Sequence, residues 1–202
     1  PRFNPNATGP EPPLPPGQLP PQVDARQISL FAAAWTVGSL KYLSESGADS
    51  VTYFEAVGWR GVMQGANPPA LPERFFAMPG EVFPVYHVLA DVGEFHGGSV
   101  LPSTSSHPLQ VESLVLARGP CVRILLANLS EQPCVVLVDG RDFLPPVARV
   151  RYLDETSILR AMRAPEEFRS HGGALVGSHD GQLRLGLLPY GVARVDVDLE
   201  GS

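Results

Sequence analysis

The period of the hydrophobic pattern changes near residue 99. Before that point, apolar side chains recur at spacings of three and four residues, which is typical of helices, and after it they alternate with polar ones, as in strands. The first part predicts a loop, a helix, a strand, a second loop and a second helix, an order that belongs to an α/β repeat. The second part predicts antiparallel strands. We therefore divide the chain into residues 1–98 and 99–202.

Two helices are predicted in the first part. One covers about 25–46: Asp24 is a suitable N-cap, Gln27 stands three residues later as in a capping box, and Gly47 is a typical stop. The other begins at Pro84, because proline is tolerated in the first turn of a helix. Their apolar faces are suited to packing on a sheet and comprise Ile28, Phe31, Ala32, Trp35, Tyr42 and Leu43 in the first helix and Val85, Val88, Leu89, Val92 and Phe95 in the second.

A short strand is predicted over 50–55, between the two helices. Its apolar residues do not alternate simply with polar ones, as expected for a strand that is buried on both faces. The strand ends in a carboxylate, Glu55, and an indole, Trp59, and a guanidinium, Arg60, follow after small residues. These three side chains form the main candidate site of the sequence. Residues 64–82 are expected to form a loop.

The alternating pattern after residue 99 predicts six strands, at 109–118, 121–129, 134–140, 148–154, 182–188 and 192–199. An edge strand at 173–177 or at 99–101 would bring the number to seven or eight, the size of an antiparallel β-sandwich. The segment 156–169 is expected to be a loop, with room for one helical turn around 158–162.

The two cysteines, Cys121 and Cys134, bracket a predicted hairpin turn near 128–133. In an antiparallel pair closed by that turn, the two side chains lie too far apart for a disulfide. We therefore expect reduced, buried thiols, which suits a cytoplasmic protein.

Composition and charge argue against several classes of partner. The 202 residues include 22 prolines and 20 glycines, which favours strands and turns, and the proline-rich first 23 residues are expected to be loop or polyproline. The net charge of -6, without a basic run, argues against nucleic acid and against an anionic membrane surface as partners. No uninterrupted apolar run reaches the roughly 18 residues of a membrane span.

The sequence carries no sign of a metal or of a cofactor. The five histidines lack a ligand-like spacing. There is no glycine-rich phosphate loop and no G-x-S-x-G motif. We therefore expect no metal site and no cofactor.

An α/β segment that leads directly into a sandwich resembles the retaining glycoside hydrolases whose (β/α)8 barrel continues into a C-terminal β-sandwich. Within that group, the chain is similar to the C-terminal portion of the bacterial D-apionate lactonase family, in the stretches PRFNPNATGPEP, SLFAAAWTVGSLKYLSESGADSVTYFEAVGWRGVM, FPVYHVLADVGEF and LLPYGVARVDV. The resemblance implies that 50–55 is the last barrel strand, that the two helices are the seventh and eighth, and that residues 2–4 end the seventh strand.

The resemblance further implies a hydrolase that opens the lactone of a branched sugar acid, D-apionolactone to D-apionate, in D-apiose catabolism. Active sites of such barrels lie at the C-terminal ends of the strands. Glu55 is therefore the candidate catalytic group, as a base or as a nucleophile. Arg60, Trp59, Asn4 and Arg2 are candidates for binding a small sugar or sugar-acid lactone.

Other interpretations remain open. The same fold supports glycoside cleavage, and a noncatalytic carbohydrate-binding or structural sandwich would make Glu55 an exposed rim group. Structural roles are a pairing of Glu55 with Arg60 or Arg2, a barrel cap for Trp59, and a turn for Asn4. A whole barrel needs about 250 residues, and at most two of its strands are found here. We therefore expect a C-terminal barrel fragment followed by a sandwich, inactive without the remainder of the parent chain.

Overall fold

The computed structural model describes residues 15–140 and 143–199. The helical elements in these residues are a 3₁₀ turn, Ala25–Ile28, and the α-helices α1 Leu30–Glu45, α2 Pro84–Gly93, α3 Ile158–Arg163 and α4 Pro165–Ser170. None of these helices combines the length and the hydropathy that a membrane span requires. The strands are β1 Glu55–Val57, β2 Gly61–Met63, β3 Ser99–Leu101, β4 Val111–Arg118, β5 Cys121–Asn128, β6 Cys134–Asp139, β7 Val147–Leu153, β8 Ala174–His179, β9 Gln182–Leu187 and β10 Val192–Asp198.

The first predicted helix is divided at Ser29 into the 3₁₀ turn and α1. Asp24 caps the turn, because its carboxylate accepts a hydrogen bond at 2.9 Å from a backbone N–H two residues later. Gln27 does not complete a capping box, since its buried amide donates instead to the Gly61 carbonyl at 2.9 Å. The chain leaves α1 through Gly47, whose φ of +80° is a left-handed conformation that glycine adopts without strain.

The strand predicted over 50–55 is wrong over most of its length. Only Glu55 lies in a strand, β1, and all three residues of β1 are exposed rather than buried on both faces. β1 pairs in parallel with β2, with Glu55 opposite Gly61 and Val57 opposite Met63. A barrel strand is buried between the side chains that fill the barrel interior and the outer ring of helices, whereas in the described part of the chain β1 pairs with β2 alone.

The strands after residue 99 form one curled antiparallel sheet in the order β3-β4-β5-β10-β7-β8-β9-β6. The sheet bends at β8, whose first residues pair with β7 and whose last residues, 178–179, pair with β9. β9 and β6 therefore form a smaller layer that folds over the larger one. All six predicted strands are present, with small shifts at their ends, and both alternative additional strands occur, as β3 and β8.

Two hydrophobic cores lie on opposite faces of the larger layer. The first fills the space between the layers and includes Val122, Ile124, Leu126, Val150, Leu183, Leu185, Leu187, Ala193 and Val195. The second lies between the larger layer and the helices and includes Ala33, Ala34, Val37, Val88, Leu114, Leu125, Leu153 and Phe168. Seven residues of β5 are buried because this strand contributes to both cores. The order of layers is thus helices, larger sheet layer, smaller sheet layer.

Other predictions need correction. β5 and β6 do not form a hairpin, because β5 pairs with β4 and β10 whereas β6 pairs with β9. Cys121 is exposed rather than buried, because it is the first residue of β5, Cys134 is partly buried, and both thiols are free. The segment 156–169 contains α3 and most of α4 rather than a loop with a single turn, since Ala161 and Phe168 anchor these helices in the core.

Candidate active site

The candidate site is built on the tight connection between β1 and β2. Gly58 has a φ of +92°, and a Cβ atom at Gly61 would meet the backbone of β1 at 2.7 Å. Both positions therefore favour glycine. Hydrogen bonds from the Gly58 N–H to the Met63 carbonyl at 2.9 Å and from the Gly61 N–H to the Gly58 carbonyl at 2.8 Å close the connection. Trp59 and Arg60, which lie between the glycines, are thus held in a defined loop.

Glu55 and Arg60 form an ion pair across this loop. Arg60 Nη2 lies 2.6 Å from Glu55 Oε1, and the Glu55 N–H donates to the Arg60 carbonyl at 3.0 Å. The two side chains are 54% and 47% exposed, respectively. An ion pair with this exposure contributes only about 0–1 kcal/mol to folding. The pair is therefore accessible to a ligand and is not required to hold the loop together.

Trp59 and Tyr53 connect the loop to the helices. Trp59 is partly buried and packs against a third hydrophobic cluster, which includes Phe75 and Phe83. The Tyr53 hydroxyl shares a hydrogen bond of 2.8 Å with Ser39 on α1. Tyr53 therefore has a structural contact, and Trp59 presents only part of its ring to solvent.

The remaining predicted site residues, Arg2 and Asn4, lie outside the described residues. Their contacts with substrate, and the alternative pairing of Glu55 with Arg2, stay predictions. Of the five candidates, the structure brings Glu55, Trp59 and Arg60 onto one short connection.

The loop between β2 and α2 carries a buried polar group that the sequence pattern did not identify. Backbone hydrogen bonds join 64–65 to 80–81, so the ends of the loop are paired. The Glu81 carboxylate accepts hydrogen bonds from the Met78 N–H and from Arg163 Nε, both at 2.9 Å. A depression of about 300 Å³ is lined by Met78, Pro79, Gly80, Glu81 and Arg163, and none of the predicted site residues lines it.

A larger group missed by the sequence is an ionic cluster between α2, α4 and the sheet. At its centre the buried Asp91 carboxylate accepts hydrogen bonds from Arg151 at 2.7 and 2.9 Å and from Arg194 at 2.7 Å, and it pairs with Arg169 at 3.0 Å. Arg123, Glu94 and Asp196 complete this Asp91 cluster. Four guanidinium groups thus meet three carboxylates at the junction of the helices with the larger sheet layer.

The charges in the Asp91 cluster shift one another's ionisation. Burial opposes ionisation of Glu94, but hydrogen bonding and charge from Arg123, together with the charge of Arg194, hold its pKa below the usual range. Burial also lowers the pKa of Arg151, against the opposing attraction of Asp91. One feature of the sequence could have indicated this cluster. Arg123, Arg151 and Arg194 each lie within a largely apolar strand, on the face that carries core residues such as Leu125 and Leu153.

The described histidines do not form a metal site. His87 is buried on α2, where Nε2 donates to the Ala161 carbonyl at 2.9 Å and the ring packs edge-on against Phe168. Burial lowers its pKa to about 4, so the ring is neutral at neutral pH. Within residues 15–140 and 143–199, no three His, Cys, Asp or Glu side chains are grouped as metal ligands.

Solved structures with a similar fold are larger than this chain. A GH30 endoxylanase from Clostridium papyrosolvens C71 matches with a TM-score of 0.57 and 10% identity over 87% of this chain and 39% of its own. A conserved exported protein from Bacteroides fragilis matches with a TM-score of 0.55 and 15% identity over 89% of this chain and 37% of its own. A GH39 β-xylosidase from Caulobacter crescentus matches with a TM-score of 0.51 and 17% identity over 90% of this chain and 42% of its own. At these identities the matches establish the fold alone. The chain spans about two fifths of the length of these proteins.

Family models match both parts of the sequence. Residues 1–97 match the D-apionate lactonase TIM barrel domain, and residues 108–195 match the D-apionate lactonase C-terminal immunoglobulin-like domain. A comparison with curated protein sequences finds no significant match. The two matched domains follow one another in the order in which the helix-containing part and the sandwich occur here, and the chain therefore belongs to the D-apionate lactonase family.

Proposed function

We propose that this chain supplies the last strand region and the C-terminal domain of a carbohydrate-active hydrolase that opens a sugar-acid lactone, D-apionolactone to D-apionate. The family match supports the reaction class. We place the boundary between the barrel-derived part and the sandwich at residues 98 and 99, and we assign the activity to D-apiose catabolism in the cytoplasm. The two free cysteines support a reducing compartment.

The observation that carries this proposal is the accessible Glu55–Arg60 pair beside Trp59. Opening a lactone requires an attacking water or nucleophile, donors for the oxyanion and a proton for the departing ring oxygen. A half-exposed carboxylate is suited to accept a proton from water or to attack the carbonyl carbon itself. A guanidinium 2.6 Å from that carboxylate is suited to stabilise the negative charge that develops on the carbonyl oxygen.

We assign the other predicted residues to substrate binding. The exposed part of the Trp59 ring offers an apolar surface for one face of the sugar ring. Asn4 and Arg2, if they end the neighbouring barrel strand as the family resemblance implies, would reach substrate hydroxyl groups from the same end of the barrel.

A second candidate function is glycoside hydrolysis. The fold similarity to the GH30 endoxylanase and the GH39 β-xylosidase favours it. Retaining glycosidases use a second carboxylate about 5 Å from the first. We prefer lactone opening because both family models that match the chain are those of D-apionate lactonase and because the guanidinium beside Glu55 is suited to stabilise an oxyanion.

The two candidates separate in a substrate panel. The whole polypeptide encoded by the gene is purified and assayed with D-apionolactone, with lactones of unbranched sugar acids and with aryl xylosides and arabinosides. The proposal expects turnover of D-apionolactone above its spontaneous hydrolysis, and little turnover of the glycosides. Turnover of the glycosides alone would replace the lactonase by the glycosidase, and no turnover of any substrate would favour a noncatalytic carbohydrate-binding protein.

A further inference from the structure

The edge strand β6 presents an apolar surface on the side of the molecule opposite to the helices. It is the last strand of the sheet order and pairs with β9 alone in the described part of the chain. Its outward side chains Val135 and Leu137 are 58% and 60% exposed. Their neighbours on β9 are Gly186, opposite Val135, and Arg184, opposite Leu137. The outer face of this edge therefore carries two large apolar side chains and a glycine.

The backbone groups of the same two residues point to the open edge. The turn Asp180–Gly181 has φ values of 52° and 70°, as in a two-residue type I′ hairpin, so its closing pair His179–Gln182 is hydrogen bonded. Bonding alternates along antiparallel strands, so Leu183 and Leu185 bond toward β6. The N–H and C=O groups of Val135 and Leu137 consequently point away from β9.

The two edges of the sheet differ in their protection against pairing with another strand. Proteins protect edges with short strands, lysine, proline or bulges. The opposite edge, β3, is only three residues long. In contrast, the six residues of β6 contain no lysine and no proline, and a regular register pairs all six with β9. β6 is therefore the edge that is competent to accept another strand.

We propose that β6 is the interface through which two copies of this chain form a symmetric dimer. In an antiparallel pair centred on Val136, Val135 of one copy lies opposite Leu137 of the other, and vice versa. Because both pairs have outward N–H and C=O groups, each pair exchanges two backbone hydrogen bonds. The four apolar side chains then form one patch on the outer face, flanked by the two Gly186 positions.

Charge and symmetry favour a second copy over a strand of another protein. In this register Asp139 of each copy falls outside the apolar pairs, and the two Arg184 side chains lie on opposite sides of the patch, so no like charges face each other. A twofold contact uses the same edge on both partners and is closed; of the two terminal strands of the eight-stranded sheet in the described residues, the short β3 then stays unpaired on its outer side. The helices pack on the other face of the larger layer, so the proposed contact does not involve them.

The dimer is tested by sedimentation velocity of the whole polypeptide encoded by the gene, at concentrations from micromolar to millimolar. A contact made by one strand edge falls at the small end of specific interfaces, so we expect a weak monomer–dimer equilibrium that ends at the dimer. Leu137→Lys places a charge in the patch and is expected to weaken dimerisation about tenfold or more. Leu137→Pro removes an outward N–H and is expected to have the same effect, because an edge position tolerates proline.

The matched control is Leu159→Lys, which changes a side chain of similar exposure, 61%, on α3. It is expected to leave the dimer unchanged, and circular dichroism of each variant verifies that it is folded. The proposal is overturned if the wild-type chain stays monomeric throughout, if it forms oligomers beyond the dimer, or if the dimer survives both Leu137 substitutions. Equal weakening by Leu159→Lys would also overturn it, since association would then be independent of β6.

Discussion

Gly173 lies between α4 and β8 with a φ of +76°, and a Cβ atom there would overlap the carbonyl oxygen of Val150. The position is strained for any other residue and also sterically closed. We expect Gly173→Ala to lower the free energy of unfolding by about 2–4 kcal/mol, from left-handed strain and overpacking together. Urea denaturation measures the change. Gly186→Ala is the control, because a Cβ there meets nothing within 4 Å, and we expect a change within about 1 kcal/mol. Equal losses in the two variants would contradict this explanation.

His87 makes stability depend on pH. Burial lowers its pKa from 6.5 to about 4, so between these values the unfolded chain binds a proton that the folded chain does not. His87 therefore does not reduce the free energy of unfolding above pH 6.5. As the pH falls from 6.5 toward 4, the free energy of unfolding decreases, by about 3 kcal/mol in total. His87→Gln keeps an N–H donor without the titration. We expect a shallower fall in the unfolding free energy between pH 7 and pH 5 than in wild type. An unaltered slope in His87→Gln would contradict the assignment.

At the scale of elements, the Asp91 cluster joins α2 and α4 to the sheet. Asp91→Asn removes the negative charge that faces Arg151, Arg194 and Arg169, all of which remain largely buried. We expect a loss of about 3–5 kcal/mol in unfolding free energy, because an uncompensated buried charge is costly. Asp24→Asn is the control: its pair with Arg26 is solvent-exposed and asparagine still caps, so the loss should be about 1 kcal/mol or less. Similar losses in both variants would show that the cluster has no special role.

The sequence predicts elements better than it predicts how they pair. Alternation located six strands because each has at least one face in a core. Alternation does not encode strand order, so the adjacent β5 and β6 were wrongly joined in a hairpin, although they lie in different layers. Gln27 looked like a capping residue, but tertiary contact directs its amide to the loop at Gly61. Local patterns cannot reveal such long-range partners.

The candidate site was predictable only where it is local in sequence. Glu55, Trp59 and Arg60 were identified because they follow one another within six residues, and the structure places them on one connection. The Asp91 cluster was not identified, since its members come from two helices and three strands that meet only after folding. The roles of Arg2 and Asn4 stay predictions.

At the scale of the whole molecule, three layers place the candidate site and the open edge at different parts of the surface. The helices cover one face of the larger sheet layer. The segment that carries Glu55 contacts the helices through the hydrogen bond of Tyr53 with Ser39 on α1 and through that of the Gly61 carbonyl with Gln27 in the 3₁₀ turn. β6 belongs to the smaller layer on the other face. Substitutions at Leu137 are therefore expected to change self-association, and substitutions at Glu55 to change chemistry, independently of each other.

The proposed role of the Glu55 carboxylate in lactone opening is tested by the kcat of Glu55→Gln in the whole gene product with D-apionolactone. Glutamine keeps the shape of the side chain but is neither a base nor a nucleophile, so we predict a loss of about 100-fold or more with an unchanged melting temperature. Glu155→Gln, an exposed acid in the connection before α3, serves as the matched control and should retain wild-type turnover. A kcat for Glu55→Gln equal to that of Glu155→Gln would contradict a catalytic role for Glu55.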